Sequence, residues 1–364
     1  MTNRAIAHAR LRNSRLVGPP LARPEEVVGW FGAVQSQDVP GALWGIAQRL
    51  SAEATVDAVG AAMDDGRIVR THAMRPTWHF VLPDDLRWIQ ALTGPRVHQG
   101  NRGIARREGL DDATLARAED AIRDVLAGGK ALTREELGRA IAPTGIDAGQ
   151  GVRLAYTAMH AELEAIICNG PRRGSRATYM LVDERVPAAP AKDRDDALAE
   201  LALRYFRSHG PALARDMAWW SGLTVTDVRR AAELAGPALE KRSIDGKDYW
   251  AASGGFEAAQ IERPLIQLLP NYDEYLGSYV DYDPIFDPAL PRARNVADVL
   301  GAHIVVRDGF VVGGWRRAIG PKSVMITVTL LLPLTSHEQT ALERAAEGYG
   351  RFLGLPADVK VVQA

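Results

Sequence analysis

Three times along this chain, helical segments give way to a short, basic stretch with strand character, and this repeat restricts the fold more than any other feature. In the first unit, Glu25 to Gln37 and Val56 to Met63 read as helices. Arg67 to His72 and Thr77 to Leu82 then favour strands through their β-branched and aromatic residues, with Met74, Arg75 and Pro76 between them. The second unit opens with a helix over Asp111 to Ala127. Thr133 with Glu136 three residues on is a capping box, which predicts a helix over Arg134 to Ile141. A third helix is expected over Gly151 to Cys168, stopped by Asn169 and Gly170. Arg172, Arg173 and Arg176 then precede a strand-like segment, Thr178 to Val182.

The third unit follows a linker at Pro187 to Pro190. It comprises helices at Ala197 to Ser208, at Ala212 to Trp219 with Pro211 in the first turn, and at Thr226 to Leu234. The last two, joined through a turn containing Gly222, have helix-turn-helix form. Arg242 to Ile244 and Tyr249 to Ala252, joined through Asp245 and Gly246, predict a hairpin. Three helices plus a β hairpin make a winged helix, and the spacing of about 90 residues between units is too irregular for a solenoid. Beyond them, Val305 to Phe310 and Val311 to Trp315 flank an Asp308-Gly309 turn, and Val324 to Leu332 is another strand, so a small antiparallel sheet or barrel is expected. Ser336 to Phe352 closes the chain as a helix, with Ser336 and Gln339 at capping-box spacing. The expected fold is α+β and mainly helical. Its divisions are 1–95, 96–190, 191–255 and 256–364: three tandem winged helices and a C-terminal β domain.

Composition narrows the function. The balance of 44 Lys+Arg against 45 Asp+Glu does not by itself suggest a polyanion partner, but residues 1–110 hold 14 basic against 10 acidic residues. Six of the basic residues are lysine, the first being Lys130; the rest are arginine, suited to bidentate phosphate contacts and also common in products of GC-rich genomes. No apolar run approaches the roughly 18 residues of a membrane span. Met1 to Leu21 is interrupted by arginines and lacks a secretory core, so a cytoplasmic protein is expected. The single cysteine, Cys168, permits neither an internal disulfide nor a cysteine metal cluster and is expected to pack in an apolar helix. The eight histidines are scattered without the spacing of a helical zinc site, and no dinucleotide, P-loop or esterase motif is present. Neither metal nor cofactor is expected.

Two segments concentrate polar side chains: Ala33 to Pro40, containing Gln35-Ser36-Gln37-Asp38, and Arg70 to Phe80. On a helix, Gln35 and Gln37 would project about 200° apart. Because Pro40 disfavours helix at Val39, the helix is expected to end around Gln37 or Asp38, leaving the amides either solvated or facing one cleft.

These segments carry a resemblance. Val34 to Asp38 followed by Pro40-Gly41-Ala42-Leu43-Trp44, His72-Ala73-Met74-Arg75 with Thr77-Trp78-His79, Leu269 to Tyr275, and Asp308-Gly309 through Gly314-Trp315-Arg316 resemble the AlkZ/YcaQ type of winged-helix DNA glycosylase, over nearly the whole chain and in the same order. The resemblance implies a C-shaped set of winged helices around a DNA channel. It also implies a catalytic Gln, apolar residue, Gln or Asp signature, met here by Gln35 and Gln37. Ser36 departs from the apolar middle residue, and the paired amides match the AlkZ branch.

An N7-alkylated purine carries positive charge and is already a good leaving group. Amides that orient water and stabilise the sugar cation suit it, whereas an unactivated glycosidic bond would want a carboxylate. Asp38 could supply one, but a turn residue before Pro40 more often bonds its own backbone. Arg75 is expected on phosphate and His79 near the lesion, with Trp78 and His79 as core residues the other reading. Arg172, Arg173 and Arg176 are expected on the DNA backbone as a wing, or else simply solvated. Asn271, Asp273 and Glu274 look like a polar network beneath the site or at a domain junction. The absence of lysine before Lys130 disfavours a Schiff-base lyase. The expected protein is a monomeric, monofunctional glycosylase acting on alkylated purines in double-stranded DNA. The competing class is a non-catalytic winged-helix transcriptional regulator, which would commonly dimerise on half-sites.

Overall fold

The computed structural model describes residues 1–52, 54–144, 151–287, 290 and 303–364. One topology recurs three times: helix, two-residue strand, helix, helix, hairpin, with the short strand pairing to the hairpin's second arm. In the first unit the helices are Pro24–Phe31, Val39–Ala47 and Val56–Asp64, and the strands are β1 (Val34–Gln35), β2 (Val69–His72) and β3 (Trp78–Val81), in sheet order β1-β3-β2. The second combines helices Asp112–Leu126, Arg134–Ile141 and Val152–Leu163 with β4 (Leu132–Thr133), β5 (Ile167–Asn169) and β6 (Thr178–Leu181), ordered β4-β6-β5. Helices Arg194–His209, Ala214–Ser221 and Val225–Ala235 with β7 (Ala212–Leu213), β8 (Leu239–Ile244) and β9 (Lys247–Ala252) repeat the order as β7-β9-β8.

A five-stranded sheet follows: β10 (Ile266–Leu269), β11 (His303–Arg307), β12 (Phe310–Ile319), β13 (Val324–Leu330) and β14 (Ala357–Gln363), paired in chain order. Asp308 and Gly309 both take positive φ, 50° and 90°, the two-residue turn whose twist matches a hairpin. The sheet is mixed rather than antiparallel throughout as expected. Helix Ser336–Leu353 returns the chain so that β14 runs parallel to β13, a strand not foreseen.

Several expected boundaries also move. The Glu25 to Gln37 helix stops at Phe31 because Gly32 turns the chain at φ 86°, and Val34 and Gln35 pair antiparallel with Phe80 and His79. Pro40 starts a helix rather than ending one, since a missing N–H costs nothing in a first turn. The helix expected to reach Cys168 ends at Leu163; Ala165 turns at φ 54°, and Ile167, Cys168 and Asn169 form β5. Cys168 is thus buried in a strand. A short apolar run rich in Ile fits either element, and tertiary pairing decides. Pro211 precedes β7 rather than opening a helix. The last helix is capped by Thr335 with Glu338, one residue before the expected pair, because both pairs have the spacing and periodicity does not set the phase.

The first unit lies between the others. One apolar core joins its Phe31, Trp44 and Phe80 to Trp315, Tyr349 and Phe352 of the C-terminal sheet and its helix. Trp44 and Trp315 donate to the Leu268 and Leu269 carbonyls at 2.7 and 2.9 Å, so both indoles bury their rings with their N–H groups satisfied. A second core joins Val69, Met74 and Val81 to Tyr205, Phe206 and Trp220 of the third unit. Strand β1 is held where these cores meet. No helix among the described residues is long and apolar enough to cross a membrane.

Candidate active site

In an antiparallel pair, directly opposed residues project to the same face. Gln35 opposes His79 and His79 opposes Thr71, so these three share a face of the first unit's sheet. Ser36 N–H donates to Trp78 O at 2.8 Å, and the Gln37 side-chain carbonyl lies 3.5 Å from Trp78 N. The amides therefore sit at the end of a strand, not of a helix. Gln35 is 7% exposed, whereas Gln37 is open to solvent.

Glu274 anchors Gln35. Its Oε1 accepts the Gln35 N–H at 2.7 Å, and its Oε2 is approached by Trp220 Nε1 at 3.0 Å, His209 Nε2 at 3.2 Å and the Ser278 hydroxyl. Burial alone would raise this carboxyl's pKa, but bonds from His209, Ser278 and Gln35 hold it down at about 2. With its oxygens taken up, Glu274 fixes the strand and is not placed to abstract a proton. Next to it, the Asp273 carboxylate accepts from both Arg49 Nη1 and Nη2, at 3.0 and 2.8 Å, in a buried bidentate pair. Arg49 also donates to the Ser14 and Gly45 carbonyls. The Asn271 backbone N–H donates to His303 Nδ1 at 2.9 Å. A cavity of about 10 Å³, space for about one water molecule, lies among Gln35, Arg49, Asn271, Asp273 and Glu274.

Arg75 reaches Gln35 from the opposite side, donating from Nη2 to the amide Oε1 at 3.2 Å, with its guanidinium 5.0 Å from the Trp219 ring centre. Its backbone is set by the third unit. Gly222, at φ 73°, packs so closely on Met74 that a Cβ would stand 2.3 Å from the Met74 carbonyl oxygen. His79 is fully buried, and desolvation, helped by Arg75, lowers its pKa to about 3. The ring is neutral at pH 7; Nδ1 lies 3.0 Å from the Thr77 carbonyl, and Nε2 is buried without a hydrogen-bond partner among the described residues. Asp38 does not bond its own backbone in the expected way. Its Oδ2 instead receives Arg317 at 3.2 Å.

The arginines expected on a wing are occupied internally. Arg172 bonds Asp64 of the first unit through its backbone N–H, Nε and Nη2, with a shortest distance of 2.7 Å. Arg173 pairs with Glu136 and Arg176 with Glu135, at the acidic start of helix Arg134–Ile141. Arg173 and Arg176 are exposed, while Arg172 is half-buried. Sequence reasoning did not single out Arg49, His209, Trp219 or Trp220. Their partners lie far along the chain, and no local spacing marks them. The exposed aromatics Trp219, Tyr272 and Tyr282 were equally silent, although Trp219 stacks on Arg75 and Tyr272 borders the cavity beneath Gln35.

A family model described as DNA glycosylase AlkZ-like matches residues 28–352, which include every site residue named above except Ser14 at the periphery. The chain belongs to the AlkZ-like DNA glycosylase family. The Streptomyces sahachiroi DNA glycosylase AlkZ has a similar fold, with a TM-score of 0.80 at 21% identity over 100% of both chains. Among curated proteins no significant match was found. The AlkZ-like assignment makes DNA the expected partner and hydrolysis of a glycosidic bond the expected class of chemistry.

Proposed function

We propose that the chain is a monofunctional DNA glycosylase that hydrolyses the N-glycosidic bond of N7-alkylated, bulky or crosslinked purines, acting as a cytoplasmic monomer, with Gln35 and Gln37 as the catalytic amides. The observation that carries the reading is the double anchoring of Gln35: backbone N–H on Glu274, side-chain carbonyl on Arg75. An amide held on both sides is preorganised, and preorganised dipoles stabilise developing charge without reorganising. Gln37, exposed two residues on, supplies the amide that orients water. Asp38 is engaged by Arg317 and Glu274 is enclosed, so the site offers amides rather than a free carboxylate next to Gln35. That matches a leaving group already activated by alkylation.

The three repeated units, 1–95, 96–190 and 191–255, act in this reading as winged helices in a C-shaped arrangement around the duplex, with 256–364 as the β domain bracing the first. Arg75 meets a phosphate beside the lesion, backed by Trp219. His79 forms the buried wall behind Gln35, held neutral by desolvation. Arg173 and Arg176 exchange the half-buried Glu136 and exposed Glu135 carboxylates for DNA phosphates. Arg172 joins two units. Duplex DNA carrying N7-methylguanine or a nitrogen-mustard crosslink, incubated with the protein and then treated with alkali, should break at the lesion. An uncleaved product after prolonged single-turnover incubation with both substrates would overturn the substrate assignment.

A further inference from the structure

We propose that His98, His160 and Glu164 form a binding site for one divalent transition-metal ion of the zinc class, separate from the glutamine site. The histidines have no metal-binding spacing in the sequence, because they come from different helices: His98 from Pro83–Arg107 and His160 from Val152–Leu163. Glu164, four residues after His160 at the end of the same helix, falls on the same helical face. One ligand atom from each of the three lies within 4.8 Å of the others. Donors on a tetrahedral zinc stand about 3.3 Å apart, from bonds of roughly 2.0–2.1 Å. Closing the gap takes rotamer movement, which the exposed Glu164 side chain can supply.

Two further contacts point to a ligand. His98 Nε2 stands 2.8 Å from Glu164 Oε1, so an imidazole nitrogen and a carboxylate oxygen already converge on one point. On the other side, Glu119 from helix Asp112–Leu126 lies 2.8 Å from His160 Nε2. A carboxylate holding one ring nitrogen is the arrangement that orients metal-binding histidines and leaves the other nitrogen for the ion. Two imidazoles and one carboxylate suit zinc better than calcium or magnesium, which prefer all-oxygen sets. The two histidines open on a cleft of about 640 Å³ lined also by Asn101, Arg102 and Tyr156, leaving room for a water or an anionic group as a further ligand. An ion there would tie helix Pro83–Arg107 to helix Val152–Leu163 and stabilise the second unit.

The test uses tag-free, full-length protein stripped with EDTA, dialysed, and titrated with zinc chloride in a calorimeter and with cobalt chloride in a visible spectrometer. One equivalent of zinc per chain, an intense visible cobalt band and a zinc-dependent rise in melting temperature are expected. Glu164→Gln should weaken binding at least tenfold, Glu119→Gln by roughly 10- to 100-fold, and His98→Ala/His160→Ala should abolish it. Melting in EDTA reads any damage to the fold, and the exposed Glu164→Gln variant should melt there like the parent. Sub-stoichiometric uptake by the parent protein overturns the site. So does uptake of equal affinity by Glu164→Gln and by the double histidine variant.

Discussion

The Glu274 carboxylate accepts the backbone N–H of Gln35 at 2.7 Å across 239 residues of sequence, and so ties the candidate catalytic strand to the chain just after β10. The same carboxylate is held by His209, Trp220 and Ser278, which extends the tie to the third unit. Strand β1 is two residues long and could not be rigid alone. Its geometry is set by groups from three parts of the chain.

Gln35→Ala and Gln37→Ala should each slow base release by about 100- to 1,000-fold, the loss of one well-placed hydrogen-bonding group. Melting temperature should change little for the exposed Gln37→Ala, whereas Gln35→Ala, which keeps its backbone bond to Glu274 but takes an acceptor from Arg75, should lower stability by about 1 kcal/mol. Single-turnover release at parental rates in both variants would move catalysis elsewhere.

Glu274→Gln should destabilise the protein at pH 7 by about 3 kcal/mol, since one partner is removed from a buried charged network. The Glu274 pKa is depressed from its ordinary 4.5 to about 2 in the folded protein, so its stabilisation is complete above about pH 4.5 and is lost as pH falls towards 2. Denaturant melts between those limits should therefore show a shallower acid dependence in the variant. An unaltered slope would place the acid-sensitive groups elsewhere.

His79 is neutral in the fold, with a pKa near 3 against 6.5 in the unfolded chain. Below about pH 6.5 the unfolded state takes up a proton that the folded state refuses, so stability should fall with pH from there towards 3. His79→Phe should remove this contribution, measured by melts at pH 7 and pH 5. A parent and a variant that lose equal stability between those values would show that His79 does not cause the loss.

Arg173→Ala/Arg176→Ala should flatten the salt dependence of undamaged-duplex binding by roughly 0.9 per lost phosphate contact. Arg172→Ala should leave the slope nearly unchanged and lower stability by up to about 1 kcal/mol, because its charge is spent on Asp64. Binding isotherms between low and physiological salt separate the two roles, and an equal change in slope for Arg172→Ala would put it on DNA.

The reaction should leave an intact abasic site and no borohydride-trapped protein–DNA adduct. A lyase of the common kind needs an amine nucleophile, and the first lysine in the chain is Lys130, in the second unit after helix Asp112–Leu126. A trapped complex would overturn the monofunctional reading. Its loss on Lys130→Ala, or on blocking the amino terminus, would identify the amine.

The chain's local chemistry determined a good deal on its own. Thr133 and Glu136 form the capping box their spacing predicts, Asp245-Gly246 and Asp308-Gly309 make their turns, and helices Val56–Asp64 and Asp112–Leu126 lie within a residue or so of expectation. Such signals act over three or four residues, within reach of one side chain and its neighbouring backbone. Tertiary structure decided whether Gln35 belonged to a helix or a strand, because apolar and polar residues around Gly32 fit both until β3 offered its edge. It also decided that Arg172 would be spent on Asp64, and that Arg49 and Asp273 would meet in the interior beneath the site. Those contacts join residues more than a hundred positions apart, and no local pattern encodes which partners folding will bring together; only the Arg49–Asp273 pair is enclosed, where competing water is removed.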